Sequence, residues 1–203
     1  MSNNTLIRSA TGLLLALLLA ACSSAPLRYH QLQAGLPAQG QPQAGAVILV
    51  EAVSLPASVD RPQLLLEDRQ GQPQIQERDY WTASLSRLLT QALALNLSRR
   101  LGLSGVYAAP QLSLARADLT LQLDVREFRL QPGQGALLTA AWRIARHGQA
   151  APVLQGYFSQ RQAVAGSEQA ALVAAQQVLL DGMSSQIAEA LAAHPDWLRP
   201  AAG

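Results

Sequence analysis

An apolar run that ends at the only cysteine of the chain sets the first limit on what this sequence can fold into. Residues 13–21 read LLLALLLAA, and Arg8 is the only charged residue before them. A positive start, a short apolar run and small residues before a cut are typical of a secretory signal. The run is shorter than the roughly 20 apolar residues that cross a bilayer. We therefore expect residues 1–21 to be removed and the folded protein to form from the rest.

The cysteine follows small residues in Leu19-Ala20-Ala21-Cys22, which resembles the lipobox of bacterial lipoproteins. Signal peptidase II cuts such precursors before the cysteine, which then carries acyl chains; a plain signal peptide with a chance cysteine is the alternative. Residues 22–26 would form a lipidated tether, and two or more acyl chains anchor a protein stably. No Asp follows the cysteine, so by resemblance to known sorting behaviour we expect the periplasmic face of the outer membrane.

Composition excludes several kinds of chemistry. All 15 basic residues are arginine, and 14 of them remain after cleavage to face 13 acidic residues. A nearly neutral body without a basic run argues against a nucleic-acid partner. The absence of lysine excludes Schiff-base chemistry, and an acylated Cys22 leaves no thiol for a disulfide or a nucleophile. We therefore expect packing alone to stabilise the fold.

The sequence also lacks a catalytic or metal-binding pattern. The three histidines, at positions 30, 147 and 194, have no metal-ligand spacing to one another. Ser104 lies in Gly-Leu-Ser-Gly, which is not the strand-to-helix motif of a nucleophilic serine. We expect no enzyme activity, no cofactor and no metal.

Hydrophobic periodicity predicts an α+β fold: a single domain over residues 27–194, with a mixed, mostly antiparallel β-sheet packed against two long α-helices. Residues 33–45, rich in Gln, Gly, Pro and Ala, are predicted to be a loop or linker. Strands are predicted at residues 27–32, 46–53, 63–68, 74–78, 118–130, 136–145 and 153–164. The apolar alternation slips by one residue near Arg126-Glu127, which predicts a β-bulge.

Capping residues give the predicted ends of the two helices. The first is expected to begin near Asp79 as its N-cap and to end at Gly102, which suits a left-handed stop. The second is expected to have Ser167 as its N-cap and to end before Pro195. The tail, residues 195–203, is predicted to be poorly packed, particularly from Asp196 onward.

Residues 55–64 read LPASVDRPQL, the most specific of several segments that carry a family resemblance. This segment is similar to the LP-x-x-x-DRPQ segment of the PqiC family, also described as ABC-type transport auxiliary lipoproteins. Residues 29–32, Trp81 with Leu85, and Asn96-Leu97 also match, and His30 stands where the family usually has a second tyrosine. The resemblance spans residues 27 to 191.

The resemblance implies a part in lipid traffic across the envelope. Such lipoproteins accompany MCE-type machines, so it implies an MCE-domain protein as partner, phospholipid as cargo and, we expect, a homo-oligomer beside the outer membrane. Two alternatives stay open: a stand-alone lipid-binding lipoprotein, which predicts a closed apolar cavity in one protomer, and an outer-membrane assembly factor.

Three residues are candidate contacts for a partner or a lipid. Arg61 could donate two parallel hydrogen bonds to a carboxylate or a phosphate, and Asp60 lies beside it in the sequence. The alternative is local turn chemistry, in which Asp60 caps a turn, Pro62 fixes the entry of the next strand and Arg61 pairs locally. Trp197 follows the second helix and is the third candidate, although a tail folded back on its own domain would bury it. Trp81 and Trp142 occupy apolar-face positions and are predicted to lie in the core.

Overall fold

Two β-sheets and two long helices follow one another along the chain in the computed structural model, which describes residues 26–111, 114, 116–147 and 153–200. The strands are β1 (Arg28–His30), β2 (Ile48–Val50), β3 (Gln63–Glu67), β4 (Pro73–Trp81), β5 (Val106–Ala108), β6 (Leu119–Gln131), β7 (Gly135–Arg146) and β8 (Val153–Gln162). The helices are α1 (Leu85–Leu101) and α2 (Gln169–Ala192), followed by a 3₁₀ turn over Pro195–Trp197. This arrangement confirms the predicted α+β class.

The strands form two mixed sheets. One has three strands in the order β1-β4-β3, and the other has five in the order β5-β2-β6-β7-β8. In the larger sheet β6, β7 and β8 pair antiparallel, whereas the short strand β2 lies parallel to both β5 and β6. The predicted signal segment, residues 1–21, and Cys22 lie outside the described residues.

The predicted bulge in the longest strand is confirmed. The β6–β7 register shifts between Val125 and Glu127, which leaves Arg126 as the extra residue. Before the bulge Leu121 and Leu123 are buried, and after it Phe128 and Leu130 are buried as well. The extra residue therefore keeps both apolar sets in the core.

The predicted start of the first helix is wrong. Helix α1 begins at Leu85, with Ser84 as its N-cap, whereas Asp79 and Trp81 belong to β4. Asp79 pairs across a parallel ladder with Arg28 of β1, a contact from far away in the sequence. The other end is confirmed, because Gly102 follows the helix with φ of 64°, in the left-handed region.

The second helix begins one residue later than predicted. Its N-cap is Glu168 rather than Ser167, and the helix ends at Ala192, before Pro195. Its buried side includes Leu172, Leu179, Met183, Ile187 and Leu191. Both helices contact the five-stranded sheet and each other. Among the residues described, no helix has the length and apolar character needed to cross a bilayer.

The described part of the tail is better packed than predicted. The backbone N–H of Ala46 donates to the carbonyl of Leu198 at 2.9 Å. The indole of Trp197 is 8% exposed and lies in the core cluster. The tail therefore folds back on its own domain at least to Leu198. Residues 201–203 lie outside the described part of the chain.

Candidate functional site

The Asp60-Arg61 segment forms a compact turn between β2 and β3. The amide of Asp60 donates to the carbonyl of Pro56 at 3.3 Å, and the amide of Arg61 donates to the carbonyl of Val59 at 2.9 Å. The side chain of Asp60 is exposed, whereas Arg61 is half-buried. The backbone turn of the alternative is thus present, whereas a local pairing of Arg61 is not found among the described residues, so both side chains remain available for other contacts.

A groove of about 440 Å³ opens beside this turn. It is lined by the turn and by the residues that lead into α1: Asp60, Arg61, Pro62, Trp81, Ala83 and Ser84. Ser84 caps α1 without a side-chain hydrogen bond. The Nε of Arg61 is buried and has no hydrogen-bond partner among the described residues. A buried donor without a partner is costly, so an acceptor from outside the chain would be stabilising there.

A buried charge cluster lies in the three-stranded sheet, and the sequence analysis did not predict it. The carboxylate of Asp79, 1% exposed as a residue, accepts from Arg28 Nη2 at 2.8 Å and pairs with His30 Nε2 at 2.7 Å. The His30 ring then meets Trp81 edge-on at 6.4 Å between centroids. The cluster joins β1 to β4, so it fixes the chain's first strand onto the domain.

The electrostatics of Asp79 follow from this geometry. Burial by itself raises the pKa of a carboxyl, because it penalises the charged form. Here the hydrogen bonds and the positive charges of His30 and Arg28 outweigh burial, so the pKa of Asp79 lies below its ordinary value. The carboxylate is therefore ionised at neutral pH, and the role of the cluster is structural, because it holds β1 against β4.

A second polar cluster between the helices was also missed. Asn96 of α1 is fully buried; its Oδ1 accepts from the amide of Leu36 at 3.1 Å. Its Nδ2 donates to Asp181 at 2.8 Å and to Ser184 at 3.1 Å, both on α2. The amide side chain of Asn96 thus connects the loop over residues 33–45 to both helices.

The loop over residues 33–45 is docked rather than free, although it contains no extended strand. Gln33 exchanges two hydrogen bonds with the side chain of Gln177 on α2. Arg99 of α1 donates to the carbonyls of Ala34 and Leu36 at 3.0 and 3.2 Å. The segment predicted as a loop or linker is therefore a loop that covers the helix pair.

The larger sheet carries a groove of about 770 Å³ on strands β6, β7 and β8. Its walls include Tyr157, which is 54% exposed, and Arg126, the extra residue of the bulge. The guanidinium of Arg126 lies 5.8 Å from the centre of the Tyr157 ring and 3.8 Å from Asp124. Aromatic and arginine side chains in this setting are typical of protein-binding surfaces.

The candidate contact residues do not all come together. Asp60 and Arg61 line one groove, whereas Trp197 lies in the 3₁₀ turn after α2, with its ring 6.3 Å from that of His194. The burial of Trp197 corresponds to the folded-back alternative and leaves little of its ring for an outside contact in this conformation. Trp81 and Trp142, 6% and 5% exposed, lie in the core as predicted.

A metal centre is not found in the part of the chain that the structure describes: no group of three or more His, Cys, Asp or Glu side chains there could hold an ion. His30 is occupied by Asp79, and His194 lies beside Trp197. What these sites offer chemically is recognition of acidic, aromatic or apolar groups.

Comparison with known proteins assigns the class. The family model for the ABC-type transport auxiliary lipoprotein component matches residues 30–188. The chain therefore belongs to the ABC-type transport auxiliary lipoproteins, as the lipobox and the DRPQ-type segment indicated. No curated protein matches the sequence.

Solved structures share the fold. The crystal structure of an uncharacterized protein superposes with a TM-score of 0.65 at 21% identity, covering 82% of this chain and 99% of that one. Protein XCC0632 from Xanthomonas campestris, of family DUF330, gives 0.64 at 18% identity, covering 85% and 98%. A PelC dodecamer from Paraburkholderia phytofirmans reaches 0.41 at 14% identity, covering 74% and 91%, a likeness too loose to bear on how this chain assembles.

Proposed function

We propose that this chain is the outer-membrane lipoprotein of an MCE-type system for phospholipid transport, and that it docks the periplasm-spanning MCE protein at the outer membrane. The observation that carries the proposal is the family match over residues 30–188. The lipobox at Cys22 supports the membrane anchor, and the DRPQ-type segment supports the link to MCE-type machines. We further propose that the native protein is a homo-oligomer without catalytic activity.

The form of the cavities favours docking over storage of a lipid. The two grooves described above open on the surface, and each is lined by charged as well as apolar side chains. A lipid carrier that works alone requires an enclosed apolar cavity large enough to bury its ligand. Open grooves with arginine and aromatic side chains suit a protein partner better.

Recovery of the partner from native membranes tests the proposal. The tagged, full-length protein is solubilised from the envelope of its own host and captured, and we expect an MCE-type protein among the species recovered. Failure to recover one, under conditions in which a control lipoprotein keeps its known partner, would contradict the proposal.

The same capture tests the Asp60-Arg61 contact. The Arg61→Ala variant should reduce partner recovery about tenfold or more, because truncation of an arginine that anchors an interface typically costs 2 kcal/mol or more. Arg87→Ala is the matched control, since Arg87 is exposed on α1. Thermal melting of both variants separates lost binding from lost folding. Equal recovery with both folded variants would remove Arg61 from the interface.

A further inference from the structure

We infer that one face of the three-stranded sheet lies against the headgroups of the bilayer that holds the acyl chains. This face, the tyrosine face, consists of Leu27, Tyr29, Arg78 and Tyr80. The inference rests on the lipid anchor at Cys22 proposed above and deepens it, because it says which side of the domain the anchor presents to the membrane.

Strand pairing brings these side chains together. Strands β1 and β4 are parallel, with Tyr29 opposite Tyr80, so the two tyrosines share a face. Their rings lie 6.2 Å apart between centroids. Because alternate residues of a strand point the same way, Arg78 of β4 belongs to this face as well, and Leu27, the residue before β1, continues the alternation. The opposite face of the same strands carries the buried Asp79 and Trp81.

The tyrosine face is open to solvent although it is apolar and aromatic. Tyr29 is 65% exposed and Leu27 is 54% exposed, which places both among the most exposed large hydrophobic residues of the described chain. Leaving such side chains in water is unfavourable in proportion to the apolar surface that they expose. A covering surface would therefore be stabilising.

The chemistry of the face matches a membrane interface. Tyrosine is enriched at the headgroup level because its ring is apolar and its hydroxyl is polar. Arg78 is exposed and forms no ion pair with any described residue, so it can meet a lipid phosphate. The neighbour of Tyr80 on β3 is Gln63, which is uncharged. None of these five side chains is a carboxylate that would repel an anionic surface.

The tether fixes the distance to the membrane. Four residues separate Cys22 from Leu27, and a fully extended chain spans at most about 3.6 Å per residue. Leu27 therefore stays within about 18 Å of the acylated residue. The short tether thus favours the bilayer as the occupant of the tyrosine face.

A fluorescent probe at the face tests the inference. Acylation of Cys22 leaves no free thiol, so a cysteine introduced by Leu27→Cys can be labelled alone with an environment-sensitive dye. The full-length acylated protein is placed in phosphatidylethanolamine–phosphatidylglycerol vesicles, with and without brominated acyl chains. We expect blue-shifted emission, and loss of that emission with the brominated lipid. Leu95→Cys is the matched control, a leucine of similar exposure at 46%, and its probe should be unaffected.

The other outcomes overturn the inference in distinguishable ways. Emission that is blue-shifted but insensitive to brominated lipid would mean that protein, either a partner or a second copy, covers the face. Emission that stays unshifted would mean that the face remains in water. Vesicle flotation is scored in the same samples: protein that floats without quenching removes only this inference, whereas protein that does not float removes the lipid anchor and the proposed function with it.

Discussion

Asp79 holds the side chains of Arg28 and His30 through one buried carboxylate, and the first strand of the domain depends on these contacts. Arg28 contributes through a side chain that is 52% exposed, so its attraction is partly screened by water. His30 is 10% exposed and contributes a hydrogen bond that is better shielded. Since breaking a buried pair leaves its partners unsatisfied, we expect Asp79 to matter more than either partner alone.

The variant Asp79→Asn should lower the free energy of unfolding at neutral pH by about 1–3 kcal/mol, the usual cost of leaving buried polar groups without their partner. Urea unfolding measures this directly. Asp196→Asn is the control, because that side chain is 79% exposed and pairs only on the surface with Arg199. A surface pair contributes at most about 1 kcal/mol, so the control should stay close to the wild type.

The lowered pKa of Asp79 also predicts a pH dependence. A carboxyl whose pKa is lower in the folded state stabilises the fold above its unfolded pKa of about 3.9. That stabilisation is lost as the pH falls below about 4 and through the folded-state pKa. The wild type should therefore lose more stability than Asp79→Asn over this acidic range. Parallel pH profiles for the two proteins would contradict the assigned charge cluster.

At the level of elements, the helix pair is joined by Asn96 and the loop that crosses it. Asn96→Ala removes three side-chain hydrogen bonds at a site that is fully buried. We expect a loss of about 1–3 kcal/mol in stability. Faster amide exchange should appear at Leu36, whose N–H loses its acceptor.

The exposed residue Gln91, on the same helix, provides the comparison for that measurement. Gln91→Ala should leave both the stability and the exchange at Leu36 unchanged, because alanine has the higher helix propensity and no contact with the loop is lost. Slow exchange at Leu36 in the Asn96→Ala variant would show that the loop is held by other contacts.

Periodicity within an element was readable from the sequence, whereas partners from distant segments were not. The slip near Arg126 predicted the bulge because alternation has a period of exactly two residues along a strand. The helix start was misplaced because Trp81 and Leu85 are four residues apart, a spacing that suits a helix as well. The segment is a strand because Asp79 pairs with Arg28, which lies 51 residues away in the sequence.

In the candidate site, too, only the features that depend on neighbouring residues could be predicted from the sequence. Local signals gave the Asp60-Arg61 turn and the core positions of Trp81 and Trp142. They did not show that the turn shares a groove with the start of α1, since that requires the packing of β4. The fold-back of Trp197 likewise depends on tertiary contacts that leave no local pattern. The clusters around Asp79 and Asn96 went unseen because each draws its members from separate segments.

At the scale of the whole molecule, the proposed function uses two separate surfaces, one for the membrane and one for a protein partner. The tyrosine face, next to the tether, meets the bilayer, and the grooves beside Arg61 and Arg126 remain open to a protein partner. The domain itself is stabilised by packing and by buried polar clusters. In this account the acyl chains on Cys22 anchor the protein stably, and the tyrosine face adds a contact with the headgroups.

Labelling of Cys22 therefore tests the central claim most directly. The wild type and Cys22→Ala are expressed with radioactive palmitate, and envelope fractions are compared for label and for precursor length. The account predicts a labelled, shortened wild type in the membrane and an unlabelled Cys22→Ala precursor that keeps residues 1–21. Equal labelling of the two proteins, or an unlabelled wild type recovered in the soluble fraction, would contradict it.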